Sequence, residues 1–241
     1  MKSFGVTCVI PFYNEEERIL GVLKAVSKVK EFSQIICVDD GSEDSSKFKV
    51  QSSKFSNKKI YPQFRFIRFS KNRGKAEAIR KILRYIKSYF VFLIDGDLKN
   101  LNEKDISNAI DLIKNNPGLD MIILKRINAH WRTYWQRAHT IFSGERILKK
   151  TDLLVVFRNK PRGYQLEIAI NKYMMDNKKE VRWIPSSAVN IFKNKKVGFI
   201  HGEIKDLLMH WTMIQYAGFL NYIHQILFFC RKKYHPLSFK D

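Results

Sequence analysis

Acid is what this sequence of 241 residues is short of: 23 Asp+Glu stand against 44 Lys+Arg, a formal net charge of +21. That surplus asks for an anionic partner, whether nucleic acid, an acidic lipid surface or a phosphorylated small molecule, and does not choose among them. Cysteine is scarce too. Cys8, Cys37 and Cys230 form an odd set, two of them inside apolar runs, which excludes a disulfide scaffold and predicts buried thiols in a reducing compartment. No stretch reaches the roughly 18 consecutive apolar residues of a membrane span. The nearest, Leu207 to Cys230, is broken by His210, Thr212, Gln215, Asn221, His224 and Gln225. Met1-Lys2-Ser3-Phe4 runs straight into a strand-like segment, so no signal peptide is expected. Neither G-x-x-x-x-G-K-[ST] nor G-x-G-x-x-G occurs, and no His/Cys cluster has zinc-ligand spacing. Apolar residues are not lacking. At 45% hydrophobic and 28% charged the chain is globular in composition, and disorder as the main state is excluded.

The first half alternates two periodicities. Phe4 to Pro11, Gln34 to Asp39, Phe64 to Phe69, Phe90 to Ile94 and Met121 to Leu124 are short apolar, β-rich runs. Between them lie helical patterns: Ile19, Val22, Leu23 and Val26; Ile79, Ile82, Leu83 and Ile86; and a stretch from about Glu103 to Asn115. Asn14 is expected to cap the first helix, with Glu15, Glu16 and Glu17 in its first turn. Strands separated by helices predict βαβ units in a mostly parallel central sheet with helices on both faces. The second half is less regular. Ser143-Gly144-Glu145-Arg146 is read as leading into a helix, Pro161 to Asn177 as holding another, and Trp183 to Ile191 as extended. From Asp206 the chain reads as an apolar, aromatic helical tail ending in Arg231-Lys232-Lys233.

Ligands of open parallel sheets bind beyond the carboxyl ends of the strands, and the polar clusters fall there. Asp95-Gly96-Asp97 follows the fourth strand. Two carboxylates around a small residue can hold a hard divalent cation, Mg²⁺ or Mn²⁺, beside a diphosphate; alone, such a turn more often just ends a strand. Asp39-Asp40-Gly41-Ser42 offers carboxylates to a base N–H or to ribose hydroxyls, or else an Asx turn. Pro11 to Glu15 sets the Tyr13 ring and the Glu15 carboxylate at the first strand end, where a plain helix start competes. Lys71 to Lys75, with Arg73 and Gly74, combines charge with a helix start that can approach phosphate, and reads equally as a basic loop.

The runs VIPFYNEEERI, VDDGSEDSS, NRGKAEAIR and FLIDGDL, in that order, resemble the nucleotide-diphospho-sugar domain of the family-two glycosyltransferases, which has the GT-A fold. Nearest in outline are the dolichol-phosphate mannose synthases and related polyprenyl-phosphate glycosyltransferases. The likeness is dense over residues 4–100 and traceable to about Asp206. It implies that Pro11, Tyr13, Glu15 and one of Asp39 or Asp40 hold the nucleoside, and that Asp95 and Asp97 bind metal and diphosphate. It also places Arg126 with Ser143, Gly144 and Arg146 on the acceptor side. Glu167 lies in a G-[FY]-x-x-E-like segment, and Lys205 in a run like G-E-S-K whose lysine approaches phosphate. Two departures stand out: His139 to Phe142 where the family often has an acid, and Ile204 in place of the serine of G-E-S-K.

The implied activity is metal-dependent, inverting transfer of a sugar from a nucleoside-diphosphate sugar to a lipid-linked acceptor such as a polyprenyl phosphate. An acceptor hydroxyl on a glycan, lipid or small phosphorylated molecule is the alternative, and would need a base, for which Glu167 is the candidate. Residues 1–205 are expected to form the catalytic domain and 206–241 an amphipathic, basic tail. That tail suits the anionic inner, cytoplasmic face of a membrane; a helix packing on the catalytic domain or on a second subunit, as in a homodimer, is the close alternative. A basic nucleic-acid-binding protein is the rival of another class; it lacks an RNP, zinc-finger or K-homology signature, and acids at the strand ends would repel a phosphate backbone.

Overall fold

A computed structural model of the protein describes residues 5–127, 138–163, 165–190 and 209–234. Seven strands form one sheet in the order β3-β2-β1-β4-β7-β6-β8. They are β1 Val6–Phe12, β2 Phe32–Asp39, β3 Phe64–Arg68, β4 Phe90–Leu93, β6 Met121–Arg126, β7 Arg146–Lys149 and β8 Val181–Ser186. A two-stranded antiparallel ribbon pairs β5 Leu98–Lys99 with β9 Val189–Asn190. The neighbours β1, β2, β3 and β4 are parallel, as are β6 and β8.

The inner strands β1 and β4 are buried on both sides, which is why they read as near-continuous apolar runs. Alternate residues of β1 show it. Cys8, Ile10 and Phe12 join a core with α1 (Ile19–Val26) and α4 (Glu103–Asn115). Val9 faces the other way, into a core with α3 (Lys75–Ile82), α6 (Lys150–Val156) and α7 (Gln165–Asp176). Two short helices, α2 (Ser46–Gln51) and α5 (Ala138–Ile141), complete the body. Cys8, Cys37 and Cys230 are free and buried; burial pushes the thiols of Cys8 and Cys37 well above their ordinary range.

Two local expectations are corrected. Asn14 does not cap α1, which starts at Ile19 with no acid in its first turn. Its backbone is left-handed, φ 53°, and its Oδ1 accepts from the N–H of Glu43 at 2.9 Å. The loop after β2 competes for the side chain and wins, because a donor there would otherwise go unpaired. Arg146–Lys149 is not helical. It is β7, the antiparallel strand wedged between β4 and β6. Four residues are too few to show a period, so propensity yields to the two strand edges waiting for a partner.

From the expected tail, residues 209–217 form α8 and Phe219–Phe228 form α9. Met213 and Tyr222 are buried with Ile141 and Ile168, and Gln225 Nε2 donates to the Ile168 carbonyl at 3.3 Å. The chain then adds a bridge to β8 at Trp183 and Lys233.

Candidate active site

Parallel register brings the strand ends level: Phe12 pairs with Asp39, and Asp39 with Arg68. Backbone bonds carry that alignment into the loops, with the Asp40 N–H donating to the Phe12 carbonyl at 2.9 Å and Phe69 N–H to that of Asp39 at 2.9 Å. Hydroxyls then tie loop to loop. Ser42 Oγ accepts from Asn14 N–H at 3.0 Å and Ser46 Oγ from Glu15 N–H at 2.9 Å. Glu16, expected only to start a helix, accepts from Ser45.

The two neighbouring aspartates divide their work. Asp39, fully buried, spends Oδ1 on Ser42 N–H at 2.7 Å and Oδ2 on Arg68 Nε at 3.1 Å. Asp40 Oδ2 accepts from the N–H groups of Arg73 and Gly74 at 3.0 and 2.7 Å. Its Oδ1 is buried with no partner. Burial raises the Asp40 pKa, against those two backbone donors. Gly41 is needed where it stands: φ is +81°, and a Cβ would come within 2.7 Å of the Lys71 carbonyl carbon. Arg73 is exposed, and Gly74, φ +87°, precedes α3.

The second cluster surrounds the turn after β4. Asp95 Oδ1 meets Lys75 Nζ at 2.5 Å, and the same ammonium meets Glu167 Oε1 at 2.7 Å. Arg126, at the end of β6, grips Glu145 with Nε at 2.9 Å and Nη2 at 3.3 Å, and lies 4.0 Å from Asp95 Oδ2. Burial opposes the charge on Asp95, yet Lys75 and Arg126 hold its pKa below the usual carboxylate range. Burial likewise opposes the Lys75 charge and is outweighed by Asp95 and Glu167, so its pKa is raised. Asp97 is the exception. It makes no hydrogen bond or ion pair with any described residue, and burial together with Asp95, Glu15 and Glu145 pushes its pKa up to about 6.

An unpartnered carboxylate in a field of other carboxylates fits a hard divalent cation, which needs few protein oxygens when phosphate supplies the rest. Asp97 fits that demand, with Asp95 as the neighbouring ligand. Among the described residues no group of three or more His, Cys, Asp or Glu is arranged for a metal.

Other expected residues are placed as follows. Gly144 packs on Asp95 so closely that a Cβ would overlap the carboxylate. Ser143 Oγ donates to the Leu124 carbonyl at 2.9 Å. Arg146 is fully buried and spends its guanidinium on the Ser143 and Ile141 carbonyls and on Asn171 Oδ1 at 3.0 Å. It therefore shapes the turn that presents Gly144 and does not reach the crevice. Glu167 is buried against Lys75, not solvated on a helix face. Pro11 is buried at the end of β1, and Tyr13 and Glu15 follow it at the same edge. Lys205 lies outside the described residues. Lys75, within the Lys71 to Lys75 run read as a phosphate approach, instead pairs with Asp95 and Glu167, and Glu145, in the SGER run, is a site acid that sequence reasoning did not single out. A cleft of about 740 Å³ lies at the opposite, amino end of the strands, lined by Thr7, Gln34, Arg65 and Ser88 among others and by no carboxylate.

The family model for glycosyl transferase family 2 matches residues 7–177, a span holding every strand end just described. The chain belongs to that family. Among its relatives, dolichyl-phosphate β-glucosyltransferase of Saccharomyces cerevisiae is 38% identical over 114 residues, 45% of this chain and 34% of the yeast protein. Poly-β-1,6-N-acetyl-D-glucosamine synthase of Staphylococcus aureus is 32% identical over 94 residues, 39% of this chain and 22% of that protein. The matches thus span well under half the length of these curated relatives. Glucosyl-3-phosphoglycerate synthase of Mycobacterium tuberculosis, solved with Mn²⁺, UDP and phosphoglyceric acid, superposes with a TM-score of 0.68 at 16% identity, covering 90% of this chain and 79% of that one. At that identity the likeness is one of fold. The mixed sheet with helices on both faces is the GT-A fold that the motifs implied.

Proposed function

We propose that this family-two protein moves a sugar from a nucleoside-diphosphate sugar to a lipid-linked phosphate, with inversion at the anomeric carbon. The observation that carries the reading is Asp97, unpartnered beside Asp95 at the crevice of the matched domain. Asp40 Oδ1 is a buried acceptor that a base N–H would satisfy, which favours Asp40 over the fully engaged Asp39 as the nucleoside contact. Pro11, Tyr13 and Glu15 border the same edge, and Arg73 and Gly74 close it. Asp95 and Asp97 would hold Mg²⁺ or Mn²⁺, which when bound offsets charge on the diphosphate. An acceptor oxygen attacks the anomeric carbon, the bond to the diphosphate breaks, and its electron pair leaves with the diphosphate.

The acceptor class follows from Glu167. A base must be free to take a proton, whereas Glu167 is bound to Lys75 at 2.7 Å. A phosphate acceptor is already an anion and needs no base, so the lipid phosphate is preferred to a hydroxyl. Residues 1–205 then act as the catalytic domain, with Lys205 and Arg126 among its cations, and 206–241 as the tail, whose described helices pack on that domain.

That tail supports a membrane partner. α9 is inverted for a surface helix: Tyr222 and Gln225 face the protein, while Leu220 is 82% and Phe219 62% exposed. Phe228 is exposed beside Arg231-Lys232-Lys233. An apolar face ending in cations matches an anionic interface, each cation contributing about 1 kcal/mol. No described helix is long and apolar enough to cross a membrane. The reading is a peripheral enzyme at the inner, cytoplasmic leaflet. A Leu220→Asp/Phe228→Asp variant is expected to lose at least about 10-fold in binding to vesicles containing anionic lipid with its melting temperature unchanged. Undiminished vesicle binding would remove the membrane from the reading.

The site itself is tested by calorimetry with UDP, GDP and ADP, with and without Mg²⁺ or Mn²⁺. One diphosphate should bind, with metal, and so name the donor's base; silence from all of them in folded protein would end the glycosyltransferase reading. Gly144→Ala offers a finer check. Its Cβ displaces the Asp95 carboxylate, and a shift of about 1 Å at a reacting centre is worth roughly 100-fold in rate. Sugar transfer should fall by that order while the far-ultraviolet circular dichroism spectrum is kept.

A further inference from the structure

Lys75 stands where a free cation would be wanted. Its ammonium lies 2.5 Å from Asp95 Oδ1 and 2.7 Å from Glu167 Oε1, and its side chain is about a quarter exposed. The other oxygen of Asp95 looks toward Arg126 at 4.0 Å. Asp95 is therefore countered at close range by the protein's own cations, whereas two residues on Asp97 has no hydrogen bond or ion pair with any described residue. A divalent ion arriving alone must displace an ammonium already tethered at contact distance, and of the pair Asp95 and Asp97 finds one, Asp97, without an ion pair to any described residue. Mutual attraction at such a distance is strong away from bulk water, and the tether spares Lys75 the entropy of arriving.

A diphosphate changes the balance. It brings oxygens that draw an ammonium as well as a carboxylate does, and Lys75, at the first turn of α3 next to Gly74, is on the element that faces such an anion. We propose that Lys75 is a tethered counter-ion that holds Asp95 until the donor arrives, so that divalent cation and nucleoside diphosphate bind as one coupled unit rather than cation first. This rests on the nucleotide-sugar reading of the site. Lys75 acts in it as a positioning residue: released from Asp95, it stays within reach of Glu167.

Mn²⁺ binding followed by electron paramagnetic resonance, with no sugar transfer involved, separates the two ideas. Wild-type protein should bind Mn²⁺ weakly alone and at least about 10-fold more tightly with saturating UDP or GDP. Lys75→Met should bind Mn²⁺ alone about 10-fold more tightly than wild type, so that the enhancement by nucleotide shrinks by about that factor while the part owed to phosphate ligation stays. Lys75→Arg, which keeps the charge and guards against misfolding of the first variant, should behave as wild type. Equal Mn²⁺ affinity of wild type and Lys75→Met, or a Lys75→Arg variant as tight as Lys75→Met, would overturn the proposal. Should no nucleotide bind while Lys75→Met still tightens Mn²⁺, the competition for Asp95 stands and the nucleotide-sugar reading falls.

Discussion

Asp97→Asn is expected to lower the rate of sugar transfer by roughly 1000-fold, the scale of removing one group that offsets charge in a transition state, and to leave the metal-free protein as stable as before or more so. The two effects have opposite signs for one reason. Asp97 has no hydrogen-bond or ion-pair partner among the described residues, and its ionisation is opposed by burial and by Asp95, Glu15 and Glu145, which lift its pKa to about 6. Asparagine keeps the shape and removes the repelled charge. The carboxyl's preference for its neutral form amounts to about 1 kcal/mol once screening at a partly open site is allowed for. Denaturant unfolding without metal should thus show an unchanged or higher midpoint, and calorimetry should show loss of metal-dependent diphosphate binding. A variant that unfolds more easily would mean that Asp97 holds the fold together. One that still binds diphosphate with metal would move the cation elsewhere.

Arg146→Met should have the reverse profile, with a large loss of stability that drags activity down with it. The guanidinium is fully buried and bonded to the carbonyls of Ser143 and Ile141 and to Asn171 Oδ1. Burial disfavours its charge and lowers its pKa, with Glu167 and Glu145 acting the other way. Removing it strands those acceptors and takes a compensating charge from between two acids, a change of about 3–5 kcal/mol. For a protein of this length that shifts the melting temperature by roughly 10 °C. Lysine should restore little, because one ammonium cannot reproduce a planar fork with donors in three directions. A melting temperature within about 2 °C of wild type would show that the turn before β7 is held by other means.

Much of this molecule could be read before it was seen. The runs at residues 8–12, 35–38, 90–93 and 121–124 are apolar and buried throughout because both faces of the sheet are covered, and continuous runs between helical periods leave little choice but a parallel sheet. Once the sheet is parallel, the acids at Asp39-Asp40 and Asp95-Asp97 must share an edge. β7 was not legible. It owes its existence to β4 and β6, whose paired residues lie at least 53 and 23 positions away in sequence and offer edges that only a folded neighbour can see. The inward turn of Gln225 was equally hidden, since a polar residue faces a core only where a carbonyl, here that of Ile168, is waiting.

The sequence by itself determined the order of the elements, the edge on which the chemistry gathers and the family to which the motifs point. Those properties depend on local periodicity and on residue type at strand ends, which are written along the chain. Only the tertiary structure decided how the charges are shared: Asp39 spent on Arg68, Asp40 left with one open oxygen, Asp95 held by Lys75, Asp97 held by none of the described residues, Arg146 sealed beneath the turn. Pairing of that kind depends on distances of a few ångströms between residues 19 to 92 positions apart. Electrostatic energy changes steeply over such distances, and no spacing rule in one dimension encodes them.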